Sequence, residues 1–334
     1  MVRFGIAGFG IHAVKRLMPG FALAKNCKVT ALSRRDLARA RESAAKYEVP
    51  LAFDSVEDLC RSPEVDAVFV TTPNAAHLRD VLVAIGCGKP VLCEKPMAMN
   101  AEECRQMVEA AEQARVLLGV AQIFRFEQST NRLRERIAAG EIGKPVWVRS
   151  EFSYLGLGHA RSWLYERAVA GGGPLADVGV HCIDALRFIL QDEVAEVAAL
   201  GAVDEHSGDV EASAVLTLKF ARGTLGAVTV STRAEYRTPL EIVGDAGTLS
   251  VQDGLTVERP VEIQLIRKGV VVERESVWNQ LAYARQVDAF AAAVEGTAAF
   301  PVPGVEGWQN QEVLDAAYRS LATGKSESVP RRVL

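Results

Sequence analysis

No apolar run in this chain is long enough to cross a bilayer as a helix. No CxxC pair occurs among its six cysteines. Cys27, Cys60, Cys87, Cys93, Cys104 and Cys182 stand singly, mostly in apolar stretches, which argues against a zinc site or a disulfide framework. No metal is expected. Strong charge of either sign is lacking too: the formal net charge is −4 over 334 residues. That balance speaks against nucleic acid or an anionic membrane as the main partner. There is no internal repeat and no low-complexity linker. The chain goes straight into a strand and a glycine-rich loop, with no room for a signal peptide, so a reduced, cytoplasmic setting is expected.

What is present suggests two domains, because the length exceeds one typical core. Residues 2–7 read as a buried strand, followed by Gly8-Phe9-Gly10-Ile11-His12-Ala13 and a helical pattern through Val14, Leu17, Met18 and Phe21. In strand–loop–helix context, GxGxxA suits a dinucleotide: one glycine turns the chain, the next admits the pyrophosphate, and the helix N-terminus faces the anion. The alternative is a tight turn with glycines for geometry only. A second strand at 27–32 ends in Ser33-Arg34-Arg35, with no carboxylate before Asp36. NAD-preferring sites place an acidic residue about there, about 20 residues past the glycines. A hydroxyl and two guanidiniums suit a 2′-phosphate instead, so NADP is expected, with NAD as the lesser choice. The competing reading has Ser33 capping the next helix and both arginines solvated.

Helices at 36–47, 75–86 and 100–114 alternate with strands at 67–70, 90–93 and 117–121. Asn100 is the expected cap of the third, with Glu103 at the capping-box position. The alternation predicts a doubly wound parallel sheet, with ligands at the carboxyl ends of its strands. Thr71, Thr72, Pro73 and Asn74, with His77 in the following turn, and Glu94, Lys95 and Pro96 fall at those ends. A lysine at such an edge is usually solvated; over a cofactor it is a candidate active-site group.

The second domain is expected to hold an amphipathic helix at 131–139, a strand at 146–153 and a loop at 154–167 rich in aromatics and cations: Tyr154, His159, Arg161, Trp163, Tyr165 and Arg167. That loop either lines a pocket or is a surface loop anchored by Trp163. From Pro174 to residue 190 the pattern is a helix apolar nearly all round, hence buried, with Gly173 as its cap. Yet Asp177, His181 and Asp184 fall on one stripe. Buried polar groups need partners, so the stripe faces a polar cavity or pairs internally. Six strands between 194 and 267 predict an antiparallel sheet with one face on this helix and the other uncovered, as for a homodimer or tetramer packed through the open sheet. Helices at 278–294 and 306–323 end the chain.

Together, Gly8 to Ala13, Thr72-Pro73-Asn74 with His77, Glu94-Lys95-Pro96 and the GGGxxxDxGxHxxD stretch at 171–184 resemble the Gfo/Idh/MocA oxidoreductase family over nearly the whole chain. The resemblance implies an α/β Rossmann domain at 1–122, then an α+β substrate-binding and oligomerisation domain at 123–334 with a large, mainly antiparallel open sheet. It implies hydride transfer between nicotinamide and the carbinol or carbonyl carbon of a sugar, cyclitol or related cyclic alcohol. The catalytic residues it implies are Lys95, Asp177 and His181, with a cis peptide bond before Pro96. Ser33-Arg34 looks like the NADP-using branches. Arg125, Tyr154, Trp163 and Tyr283, with Asp177 and His181, are expected to meet the substrate, Arg125, Trp163 and Tyr283 on position alone. Two further readings stay open: a relative that holds and recycles its cofactor, oxidoreductase or glycosidase-like, and a dinucleotide-binding sensor without catalysis.

Overall fold

The N-terminal apolar run forms β1, Val2–Ala7, with five of its six residues buried. A π-helical turn at Ala13–Leu17 leads into α1, Met18–Leu23. Then come β2 (Cys27–Ser33), α2 (Leu37–Lys46), β3 (Leu51–Phe53), α3 (Val56–Arg61), β4 (Ala67–Val70), α4 (His77–Gly86), β5 (Val91–Cys93), α5 (Ala101–Ala114) and β6 (Leu118–Val120). The strands form a parallel sheet ordered β3-β2-β1-β4-β5-β6. The order reverses between β1 and β4, the place where such sheets bind ligands. β3 and α3 are short and carried no readable periodicity. The N-cap of α2 is Asp36, which accepts the Arg39 amide at 3.1 Å, so Ser33 is not a cap. Asn100 caps α5 as expected, but Glu103 reaches back to the Met99 amide at 3.1 Å.

The computed structural model describes residues 1–157 and 162–330. His159 and Arg161 of the expected pocket loop lie outside the described residues. Packing divides the chain into one unit of residues 1–123 and 281–308, and another of 124–280 continuing from Gln309. The segment 281–308, expected in the second domain, thus packs with the first unit. Its helix, Ala282–Val294, sets Phe290 at 6.0 Å from Phe4 and 5.1 Å from Phe300, so its apolar face completes the first core.

In the second unit, α6 (Gln128–Ala138) and β7 (Pro145–Leu155) are followed by α7 (Arg167–Ala170). A π-helical turn at Leu175–Gly179 then leads into α8, Val180–Leu190. Next come β8 (Val194–Ala202), β9 (Ser213–Phe220), β10 (Leu225–Ser231), β11 (Arg233–Arg237), β12 (Leu240–Gly244), β13 (Thr248–Val251), β14 (Pro260–Arg267), β15 (Val270–Trp278) and β16 (Glu327–Ser328). The large sheet runs β15-β14-β13-β12-β7-β10-β9-β8-β16, with β11 also on β7. It is antiparallel except for the β7–β10 pair, which is parallel. Trp278, read as a helix start, ends β15, and Tyr154 lies in β7 rather than in a loop. α8 packs on β7, and the π turn before it packs on β10.

Candidate active site

In the first unit the glycine-rich turn is shaped by what cannot be there. Gly8 has φ +86°, and a Cβ on it would come within 2.6–2.8 Å of Thr72. A Cβ on Gly10 would meet nothing nearer than the Gly8 carbonyl, at 3.7 Å. Gly10 and Ile11 are exposed at the start of the helix. That open cradle fits a dinucleotide pyrophosphate. Phe9 faces the other way, its ring buried 5.5 Å from Tyr47 and its amide donating to the Ser33 carbonyl at 2.9 Å. Only its position in the loop, not its side chain, can serve a cofactor. The Ser33 hydroxyl accepts the Gly8 amide at 3.4 Å. Arg34 donates to Ser43 at 2.8 Å, and Arg35 is exposed.

The neighbouring strand ends are tied together. Thr71 donates to the Ala7 and Gly8 carbonyls at 3.1 and 2.9 Å, and Thr72 to buried Asp80 at 2.8 Å. Pro73 begins a 3-10 turn at Asn74–Ala76, in which Asn74 is buried. His77, expected to face the cofactor, is instead fully buried. Its Nδ1 lies 3.0 Å from the Pro96 carbonyl and its Nε2 2.8 Å from the Thr72 carbonyl. Burial lowers its pKa although both carbonyls favour the charged ring. Its work is to join two loops. The Lys95–Pro96 peptide is cis, as the resemblance implied. Glu94 is buried, with Oε1 2.8 Å from His12 Nε2 and Oε2 accepting the Lys95 amide at 3.2 Å. Tyr283, expected at the substrate, packs in this unit with its ring 6.2 Å from that of His12.

In the second unit, Glu211 caps the start of the π-helical turn that leads into α8. Its carboxylate accepts the Gly173 amide at 3.1 Å and the Leu175 amide at 3.0 Å, and the Tyr318 hydroxyl also donates to it. Gly173 therefore supplies an amide to the cap, and the capping side chain comes from elsewhere. Asp177 falls within the π turn, a wide turn common at functional sites. Its Oδ2 accepts the Tyr154 hydroxyl at 2.7 Å. His181 is nearly buried, edge-on to Phe124 at 4.9 Å and stacked on Phe152 at 6.1 Å. Asp184 pairs internally: Arg125 donates to it from Nε at 3.0 Å and Nη2 at 2.7 Å, and Asn310 at 2.8 Å. The Arg125 guanidinium, expected at the substrate, is thus engaged by a carboxylate in the core. Trp163 is half-buried in a 3-10 turn at Ser162–Tyr165. Reasoning from sequence missed Glu211 and Asn310, whose partners lie 36 to 126 residues away. It also missed the pairing of His12 with Glu94, which no local pattern marks.

A parallel sheet with a glycine cradle at its switch point defines a dinucleotide-binding protein. Residues 2–122 match the model of the oxidoreductase family with an NAD-binding Rossmann fold, and residues 130–250 match the GFO/IDH/MocA C-terminal domain. The chain belongs to the GFO/IDH/MocA family. It is 30% identical over 335 residues to 1,5-anhydro-D-fructose reductase of Ensifer adhaerens, covering 98% of this chain and 99% of that one. It is 35% identical over 228 residues to trans-1,2-dihydrobenzene-1,2-diol dehydrogenase of Danio rerio, covering 68% and 67%. The aldose-aldose oxidoreductase of Caulobacter crescentus has the same fold, with a TM-score of 0.88, 23% identity and 98% and 99% coverage. No helix among the described residues is long and apolar enough to cross a membrane.

Proposed function

We propose that this chain is an NADP-dependent reductase or dehydrogenase acting on a carbinol or carbonyl carbon of a sugar, cyclitol or related cyclic alcohol. The bound nicotinamide would supply or take up the hydride; the protein supplies the rest. Gly8, Gly10 and the helix start hold the pyrophosphate. Ser33, Arg34 and Arg35 favour a 2′-phosphate, since guanidinium grips phosphate through paired hydrogen bonds. Lys95 donates a hydrogen bond to the substrate oxygen and stabilises its developing charge. His181 gives or takes a proton at a substrate oxygen, and Asp177 favours the charged ring. Tyr154 holds Asp177 in place through its hydroxyl. Trp163, and Arg125 and Tyr283 indirectly, shape the surroundings.

The observation that carries the reading is the support given to the Lys95 backbone, bonded through Glu94 before it and through Pro96 after it. A solvated surface lysine needs no such support. The deciding experiment offers sugars, cyclitols and dihydrodiols with NADPH and NADH, or with the oxidised cofactors, and follows absorbance. Turnover of at least one cyclic substrate with preference for the phosphorylated cofactor is expected. No turnover with any of them, or a preference for NADH, would overturn it.

The same reading includes self-association. Trp147 pairs in register with Leu225, and Val215 with Leu200, and all four are 41–77% exposed on one face of the large sheet. Large apolar side chains exposed together on one sheet face mark an interaction surface. A homodimer, or a dimer of dimers, is expected through this face, and a monomeric mass by light scattering at micromolar protein would count against it.

A further inference from the structure

β5 ends by placing the carboxylate of Glu94 in a site where its side chain is only 12% exposed. A carboxylate so placed needs partners. Burial alone would raise its pKa; the charge and hydrogen bond of His12, and then Lys95, hold it below the usual carboxylate range. Glu94 is therefore an ionised acceptor, with His12 on one oxygen and the Lys95 amide on the other. His12 belongs to the glycine-rich loop, where a dinucleotide calls only for small residues and backbone. The turn itself does not call for an imidazole. Its ring is set edge-on to Tyr283, which narrows where it can point. We infer that His12 is a positioning residue for Lys95, tying the glycine-rich loop to the lysine backbone through Glu94.

The physical reason is the cost of leaving one partner alone. Without His12, Glu94 is a buried charge that has lost the hydrogen-bond partner of its Oε1, and its relief is to swing toward water. Its other oxygen would then draw the Lys95 amide with it. The inference rests on Lys95 being the catalytic lysine proposed above, so Lys95→Met is the reference variant.

Three measurements on the full chain test it: kcat, dinucleotide Kd by fluorescence, and the rate at which an amine-reactive reagent labels Lys95 without cofactor, read by peptide mass spectrometry. His12→Ala should lower kcat about 10- to 100-fold, the scale of a catalytic group displaced by about 1 Å. It should also change the Lys95 labelling rate and move Kd far less than kcat. His12→Gln, whose amide can replace Nε2, should recover most of the loss; His12→Asn, too short to reach Glu94, should not. That last pair decides the matter if the alanine variant does not fold. Glu94→Gln should add little to His12→Ala. Unchanged kcat and labelling in His12→Ala and His12→Asn, beside an inactive Lys95→Met, would overturn the inference alone. A change confined to Kd would also overturn it. An active Lys95→Met would instead remove the reading on which it stands.

Discussion

The chain prepares its two candidate reacting groups, one in each unit, in opposite ways. Lys95 is carried on a loop fixed by polar bonds: Glu94 to His12 on one side and the Pro96 carbonyl to His77 on the other. His181 is carried on a helix and fixed by rings, with Phe124 at its edge and Phe152 against its face. A loop has no periodic backbone ladder, so side-chain bonds must supply its rigidity. A buried helix already has its ladder, and only the ring orientation is left to set. The same need, a group held still, is met by hydrogen bonds in one unit and by packing in the other.

The comparison breaks most visibly at the reacting groups. Lys95→Met and His181→Ala should each lower kcat by about 10²–10⁴-fold, the scale of a lost acid–base group. Dinucleotide affinity should change far less, because neither side chain is needed at the pyrophosphate cradle. Near-normal turnover in His181→Ala on the best substrate would make that histidine a packing residue.

The next largest effect belongs to the pair beneath His181. Arg125 and Asp184 are 7% and 2% exposed at their side chains. Asp184→Asn leaves a guanidinium buried without its counter-charge and should cost about 3–5 kcal/mol in urea unfolding. Replacing both by leucine should cost less than the sum of the two single changes, because no charge is then left alone. Additive losses would show that the two residues act separately.

What was legible in the sequence divides along the same line. The glycine cradle, the Ser33-Arg34-Arg35 strand end and the lysine edge are legible because each is a short motif of adjacent residues, although the bonds that fix them come from farther along the chain. Most strands of the large sheet were legible because one face alternates into the core, as in β9. β15 was not, because none of its nine residues is buried and no alternation marks it. Nor was the return of 281–308 to the first unit, since an apolar helical face does not say which core it completes. Arg125 read as a substrate contact because a cation at a domain crossing looks available; its carboxylate partner lies 59 residues away.

Cofactor choice gives a smaller, sharper effect. Arg34 is held by Ser43, so its guanidinium is oriented before any ligand arrives. Arg34→Ala should weaken NADP by about 1.5–3 kcal/mol, the worth of a hydrogen bond to a charged group, and NAD much less. Equal weakening of both by titration would show that the arginine does not read the 2′-phosphate.

The smallest effect tests the polar scaffold itself. His77 sits between two carbonyl oxygens, yet a neutral imidazole can donate to only one of them. Two acceptors favour the imidazolium; burial opposes it and prevails, so the folded pKa lies below the ordinary 6.5. The sign follows from counting protons. Below about pH 6.5 the unfolded chain binds a proton at this position and the folded chain does not, so stability falls as pH falls. The loss continues until the pH reaches the folded pKa, and its slope is at most about 1.4 kcal/mol per pH unit for one proton. His77→Gln removes the titration and can still donate to one carbonyl. Urea unfolding between about pH 7 and 5.5 should therefore show a shallower decline for His77→Gln than for the native chain, although the variant is the less stable of the two at neutral pH. Equal slopes would mean that His77 titrates alike in the folded and unfolded chain; a steeper decline for His77→Gln than for the native chain would mean that His77 is already charged in the fold, and that two carbonyls outweigh burial at the joint between the loops.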